Sequence, residues 1–141
     1  DMRNDCMLAI VDILYKHIPF SNPNAKRTFD SDLSTIGNYI QKNYLEIKGL
    51  DALSEHFGIT KSHLCRVFKE HTGITITHYI NALKIQRACL LLCESKIPIH
   101  DIYKMCGYDN SQYFNRVFKN MKEVTPNQFR QQSRAIKMWK Y

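Results

Sequence analysis

Four residues occur twice in this chain: Arg66-Val67-Phe68-Lys69 returns as Arg116-Val117-Phe118-Lys119, 50 positions later. A repeated tetrapeptide is weak by itself, so the matches around it decide the matter. At the same offset Leu64 pairs with Phe114, Thr75 with Thr125 and Tyr79 with Phe129. Each copy is preceded by a glycine, Gly58 or Gly107, that follows a short amphipathic stretch. Glycine there supplies the left-handed residue that turns one helix into the next. One helix-turn-helix unit is therefore written twice. The expected fold is all-α, and no segment is a strand candidate of any strength.

The apolar spacing places the remaining helices. Met7, Ile10, Val11, Leu14 and Ile18 predict a helix over 5–18, too short for an autonomous coiled coil. Three readings of it stand: a helix packed on its own domain, the tail of an N-terminal domain absent from this sequence, or a homodimer contact. Pro19 to Asp30 reads as a linker, rich in helix-unfriendly residues. Ser31 or Asp32 then caps a helix carrying Leu33, Ile36, Ile40 and Tyr44. Leu50 to Phe57 is a compact helix closed by Gly58. Thr60 caps the next one, which runs to about His71 and ends at Gly73. Thr75 to Cys93 reads as one long helix of about 28 Å, with Tyr79, Leu83, Ala88, Leu91 and Leu92 on its apolar stripe. Pro98 breaks it. Ile99–Cys106, a turn at Gly107 and Ser111–Met121 form the second unit. Thr125-Pro126 opens a last helix with Phe129 and a basic tail of Arg130, Arg134, Lys137 and Lys140. The expected organisation is residues 1–30 as N-terminal helix and linker, 31–74 as first unit, 75–93 as linker helix, 97–135 as second unit and 136–141 as basic tail.

Helical spacing also assigns the faces. Leu64, Val67, Phe68 and His71 turn inward on the helix after Gly58; Phe114, Val117, Phe118 and Met121 do so after Gly107. The outward set of the first helix is Ser62, Cys65, Arg66 and Lys69, with Lys61 and His63 at its entrance. That of the second is Gln112, Asn115, Arg116 and Lys119, with Asn110 and Ser111 at its entrance. Arg grips guanine O6 and N7 with two hydrogen bonds, and Asn or Gln does the same for adenine N6 and N7. Ser and Lys suit phosphate oxygens. A net charge of +7 favours a polyanionic partner. Arg66 has a second possible role, an exposed pair with Glu70 one turn on.

Composition narrows the other function classes. The 44% hydrophobic content supports a real core. The cysteines Cys6, Cys65, Cys89, Cys93 and Cys106 form no Cys-x-x-Cys, and no His pair lies at zinc-finger spacing, so the expectation is reduced thiols in a cytoplasmic protein with no metal and no cofactor. No signal peptide and no membrane-spanning run is read. Cys65 is the one candidate nucleophile, for alkyl transfer from DNA, but no His–carboxylate set or phosphate loop accompanies it, and no enzyme is expected.

Residues 31–135 resemble the DNA-binding domain of AraC/XylS-type transcription regulators. The likeness lies in Gly58–Lys69, Gly73–Tyr79, Arg87-Ala88 with Leu91-Leu92 and, above all, Gly107-Tyr108-Asp109-Asn110-Ser111-Gln112-Tyr113-Phe114-Asn115-Arg116-Val117-Phe118-Lys119 leading to Thr125-Pro126 and Phe129-Arg130. The resemblance implies homeodomain-like helix-turn-helix subdomains joined by a long linker helix, with two recognition helices in successive major-groove segments of promoter DNA. Ser62, Cys65 and Arg66 would then lie at base-reading positions in the first unit, and Ser111, Gln112, Asn115 and Arg116 in the second. It further implies a transcription activator that contacts RNA polymerase, and a separate sensing or dimerising domain. A helical protein-interaction module, using the 5–18 helix and the apolar linker helix, is the rival reading. Four departures stand out. Glu123 replaces a usual Gly, which predicts an altered turn. Ser54 and Tyr103 replace Ala between the helices of each unit, and Tyr103 predicts changed packing. Ala82 replaces an Arg on the linker helix, removing a phosphate contact.

Overall fold

The structure is a computed structural model that describes residues 27–139. Among these, seven helices and no strand occur: α1 (Arg27–Asn43), α2 (Leu50–Phe57), α3 (Lys61–Thr72), α4 (Ile76–Glu94), α5 (Ile99–Met105), α6 (Ser111–Lys122) and α7 (Pro126–Trp139). The helix expected at 5–18 lies outside the described residues. Helix α1 begins at Arg27, not at a Ser31 or Asp32 cap, so four residues taken for linker are helical. The reason is in the sequence: no Pro or Gly lies between Pro23 and Leu33, and Phe29 carries the apolar period back by four.

The chain divides between Ile80 and Asn81 into two compact units. The expected linker helix α4 lends its first residues to the first unit and the remainder to the second. In the first unit Leu33, Ile36, Ile40, Leu53, Leu64, Val67, Phe68, Ile76, Tyr79 and Ile80 are buried. Each large apolar side chain fully removed from water stabilises the unit by about 1.5–3 kcal/mol before entropy is charged. The Tyr79 ring lies 5.7 Å from Phe68, and its hydroxyl accepts a hydrogen bond from Gln41 at 2.8 Å. Burial pushes the Tyr79 phenol upward, against the Gln41 bond.

The second unit repeats this plan. Phe118 meets Phe129 at 5.6 Å, as Phe68 meets Tyr79. Thr75 Oγ1 accepts from the His78 N–H at 3.1 Å, and Thr125 Oγ1 from the Gln128 N–H at 3.2 Å. Gln128 returns a bond to the Thr125 N–H at 3.0 Å, which completes a capping box on α7. The start of α4 and the start of α7 are thus the same third-helix pattern, written twice.

Two charged residues correct the sequence picture. Arg130 is not part of a basic tail: it is 6% exposed, and its guanidinium bonds the Leu92, Leu91 and Ser95 carbonyls at 3.2, 3.5 and 3.4 Å. It caps the C-terminal end of α4, where the helix carries partial negative charge and where the Leu91 carbonyl also accepts from the Ser95 N–H at 3.1 Å. Lys84, on the linker helix, is buried; it donates to the Gly107 carbonyl at 3.2 Å and lies 4.9 Å from the Tyr108 ring centroid.

Candidate nucleic-acid interface

Both recognition helices are started and stopped by named residues. Thr60 accepts from the His63 N–H at 3.2 Å to cap α3, and Asn110 Oδ1 accepts from the Tyr113 N–H at 3.0 Å to cap α6. Ahead of α3, Gly58 turns the chain at φ 67°. Ahead of α6 the connection is two residues longer, 106–110 against 58–60, and Gly107 turns it at φ 85°. Behind each helix sits a left-handed residue: Gly73 at φ 79° and Glu123 at φ 66°. Their N–H groups bond the Lys69 and Lys119 carbonyls at the same distance, 2.8 Å. The turn expected to change at Glu123 is therefore kept, and Glu123 carries the backbone strain that glycine would avoid.

The core faces are apolar as spaced. Leu64, Val67 and Phe68 on α3, and Phe114, Val117 and Phe118 on α6, are buried. His71 and Met121, placed inward from sequence, are half-buried. Thr72 is buried instead, its hydroxyl bonded to the Phe68 carbonyl at 2.7 Å. At the crossings, Ser54 bonds its hydroxyl to the Ile59 carbonyl. Tyr103, half-buried, fits beside Phe114 at 6.4 Å without losing the turn, since its carbonyl still accepts from the Tyr108 N–H at 3.0 Å.

The opposite faces are open. On α3, Lys61, Ser62, Arg66 and Lys69 are exposed, and Cys65 is half-buried between them. On α6, Gln112, Asn115, Arg116 and Lys119 are exposed, Asn110 is exposed at the cap and Ser111 is half-buried. The cap bond commits Asn110 Oδ1. Lys61 Nζ is held 2.8 Å from Asp51 Oδ1, and that carboxylate raises the Lys61 pKa through its hydrogen bond and its charge. No Arg66–Glu70 pair forms among the described residues; the Arg66 guanidinium meets His63 Nδ1 at 3.2 Å. Helix α6 contains no Asp or Glu, so its face is the more purely positive of the two.

Sequence reasoning missed Tyr113. It is 38% exposed, among the few large apolar side chains facing solvent, and Arg116 lies over its ring at 5.4 Å. The spacing gave its side chain no face, although it stands 50 positions after His63 at the entrance of the first helix. Among the described residues no group of three or more His, Cys, Asp and Glu is placed to hold a metal, and no helix is long and apolar enough to cross a membrane. Cys106 is buried and its thiol is pushed up to about 11 by that burial; Cys65 is half-buried.

Known proteins carry the same arrangement. A helix-turn-helix domain family matches residues 53–132. The xylose operon regulatory protein of Escherichia coli strain K12 is 37% identical over 93 residues, 66% of this chain and 24% of that protein. The HTH-type transcriptional activator RhaR of Cronobacter sakazakii is 32% identical over 116 residues, 82% of this chain and 40% of that protein. The solved C-terminal domain of AraT, a response regulator from Geobacillus stearothermophilus, superposes with a TM-score of 0.66 at 30% identity, covering 71% of this chain and 84% of that one. The chain spans less than half the length of these two curated relatives. With two capped recognition helices on repeated scaffolds and these relatives, the chain belongs to the AraC/XylS-type family of helix-turn-helix transcription regulators, matching its C-terminal DNA-binding domain.

Proposed function

We propose that this chain is the DNA-reading part of a sequence-specific transcription regulator, with α3 and α6 each entering the major groove of promoter DNA. The observation that carries the reading is the pair of exposed faces, each with an Arg at the same register on an equivalent scaffold. In the second unit Ser111, Gln112, Asn115 and Arg116 read base edges, while Lys119 and Asn110 hold phosphates. In the first, Arg66 and Ser62 read bases and Lys61 and Lys69 hold phosphates. Cys65 is a weak hydrogen-bonder and reads little. We assign no catalysis and place the protein in the cytoplasm. Activation follows the name of the Cronobacter relative, a transcriptional activator; contact with RNA polymerase follows from the family resemblance alone. Homodimerisation would use residues 5–18 or a further domain.

The rival interaction module has little to offer from the linker helix. Ile76, Tyr79, Ile80, Leu83, Ile85, Ala88 and Leu92 of α4 are all buried. The test is binding of labelled promoter fragments by the purified chain across a salt series. Affinity should fall with a log–log slope of about −0.9 per phosphate neutralised. A flat response from folded protein counts against DNA reading.

A further inference from the structure

The Arg of each recognition helix is not left to wander. Three residues before it, at the same register in both units, stands a ring that meets it: His63 before Arg66, and Tyr113 before Arg116. The supports differ in kind. Arg66 donates one hydrogen bond to an exposed imidazole nitrogen at 3.2 Å. Arg116 lies over an aromatic face at 5.4 Å from the centroid, inside the range of a cation–π contact.

Tyr113 is itself fixed. Asn81 Nδ2 donates to the Tyr113 hydroxyl at 3.2 Å, while Asn81 Oδ1 accepts from the Tyr108 hydroxyl at 2.7 Å. The Tyr108 ring packs edge-on to Tyr113 at 5.8 Å and is buried. Burial, with Tyr113 and Cys106 nearby, raises the Tyr108 phenol, so it stays a donor. A chain of contacts thus runs from buried Tyr108, through Asn81 on α4, to the ring beneath Arg116. An exposed Tyr with both ends occupied has a role other than surface filling: its hydroxyl is tied inward and its face supports a cation.

We propose that Tyr113 is a positioning residue for sequence reading, holding Arg116 in the orientation that grips one base, with Asn81 and Tyr108 as its anchor. The proposal rests on the DNA-reading function above. An Arg guanidinium already placed loses less freedom on forming two parallel hydrogen bonds, so discrimination at that base rises while contact with the phosphates is unaffected.

The test measures binding of the whole chain to its selected duplex and to the single-base variants of that duplex. The proteins are wild type, Arg116→Ala, Tyr113→Leu, Tyr113→Phe and the double variant Arg116→Ala/Tyr113→Leu, each shown folded by circular dichroism. R116A should remove discrimination at one base position. Y113L should lower discrimination at that same position by about two- to fivefold, the worth of an exposed cation–π contact. Y113F keeps the ring but loses the Asn81 bond, and its discrimination at that position should fall between those of wild type and Y113L. The double variant should lose no more there than R116A alone. If Y113L instead weakens all sequences equally, or alters another base position, Tyr113 meets the DNA itself and the proposal is overturned. If R116A changes no base preference, the DNA-reading assignment of Arg116 fails, and with it the need for a support. If R116A acts and Y113L does nothing, the positioning role alone fails.

Discussion

Glu123 offers a stability experiment with its control built into the repeat. It sits at φ 66°, ψ 0°, where Gly73 in the first unit sits at φ 79°, ψ −5°. A residue with a Cβ costs about 1–2 kcal/mol more than Gly in the left-handed region. Its carboxylate also lies at a helix C-terminus, where an anion costs about 0.3–1 kcal/mol when exposed. Against this, Gly loosens the unfolded chain by about 0.4–1 kcal/mol. Glu123→Gly should therefore stabilise the protein by roughly 1 kcal/mol, which corresponds to about 4–8 °C in Tm for a unit of this size. The reverse change, Gly73→Glu, meets nothing within 4 Å of the added Cβ, so its cost is purely of backbone and charge. It should lower Tm by a similar amount. Thermal unfolding followed by circular dichroism reads both. A Tm that falls in E123G, or stays put in G73E, refutes the strain reasoning.

Three further outcomes follow from single contacts. Asp51→Asn frees Lys61 from its 2.8 Å ion pair and removes a negative charge beside the DNA face. Duplex affinity should rise by about two- to fivefold at low salt and converge at high salt; weaker binding at low salt would sink this. Arg130→Met removes the guanidinium from the carbonyls of Leu91, Leu92 and Ser95, and should cost about 1–3 kcal/mol in urea unfolding. A loss below about 0.5 kcal/mol would mean that water serves those carbonyls as well. Alkaline stability follows from three groups raised by burial: Cys106 from 9.0 to about 11, and Tyr79 and Tyr108 upward from 10.0. The native state holds these protons where the unfolded chain releases them. Their contribution is complete below about pH 9 and is lost as pH rises through the native values, so the urea midpoint should fall between pH 8.5 and 10.5. A midpoint that holds or rises contradicts it.

How much was legible follows from where each signal lives. Gly58, Gly73 and Gly107, the Thr60 cap and the apolar stripes of α3 and α6 are local signals, and each appears as spaced except at the ends of the stripes, where His71 and Met121 are half-buried. Asn110 was read as a DNA-face residue and its capping bond went unnoticed, although Asn before an amphipathic run is a cap signal. Arg130 and Lys84 were beyond periodicity. Their burial depends on carbonyls 35 to 39 residues away for Arg130, and 23 for Lys84. Tyr113 was legible only in part: it stands 50 positions after His63, which the spacing puts at the entrance of its helix, but the bond from Asn81 to its hydroxyl spans 32 residues and is beyond periodicity. The start of α1 moved because a missing breaker is a weaker signal than a present cap.

The central claim is that both units read bases. Affinity selection of genomic fragments by the purified chain, followed by sequencing, tests it most directly when run beside Arg66→Ala and Arg116→Ala. The account predicts an enriched motif of two short boxes, with R116A erasing preference within one box and R66A within the other. No enriched motif from folded wild-type protein, or a motif untouched by either variant, would contradict it.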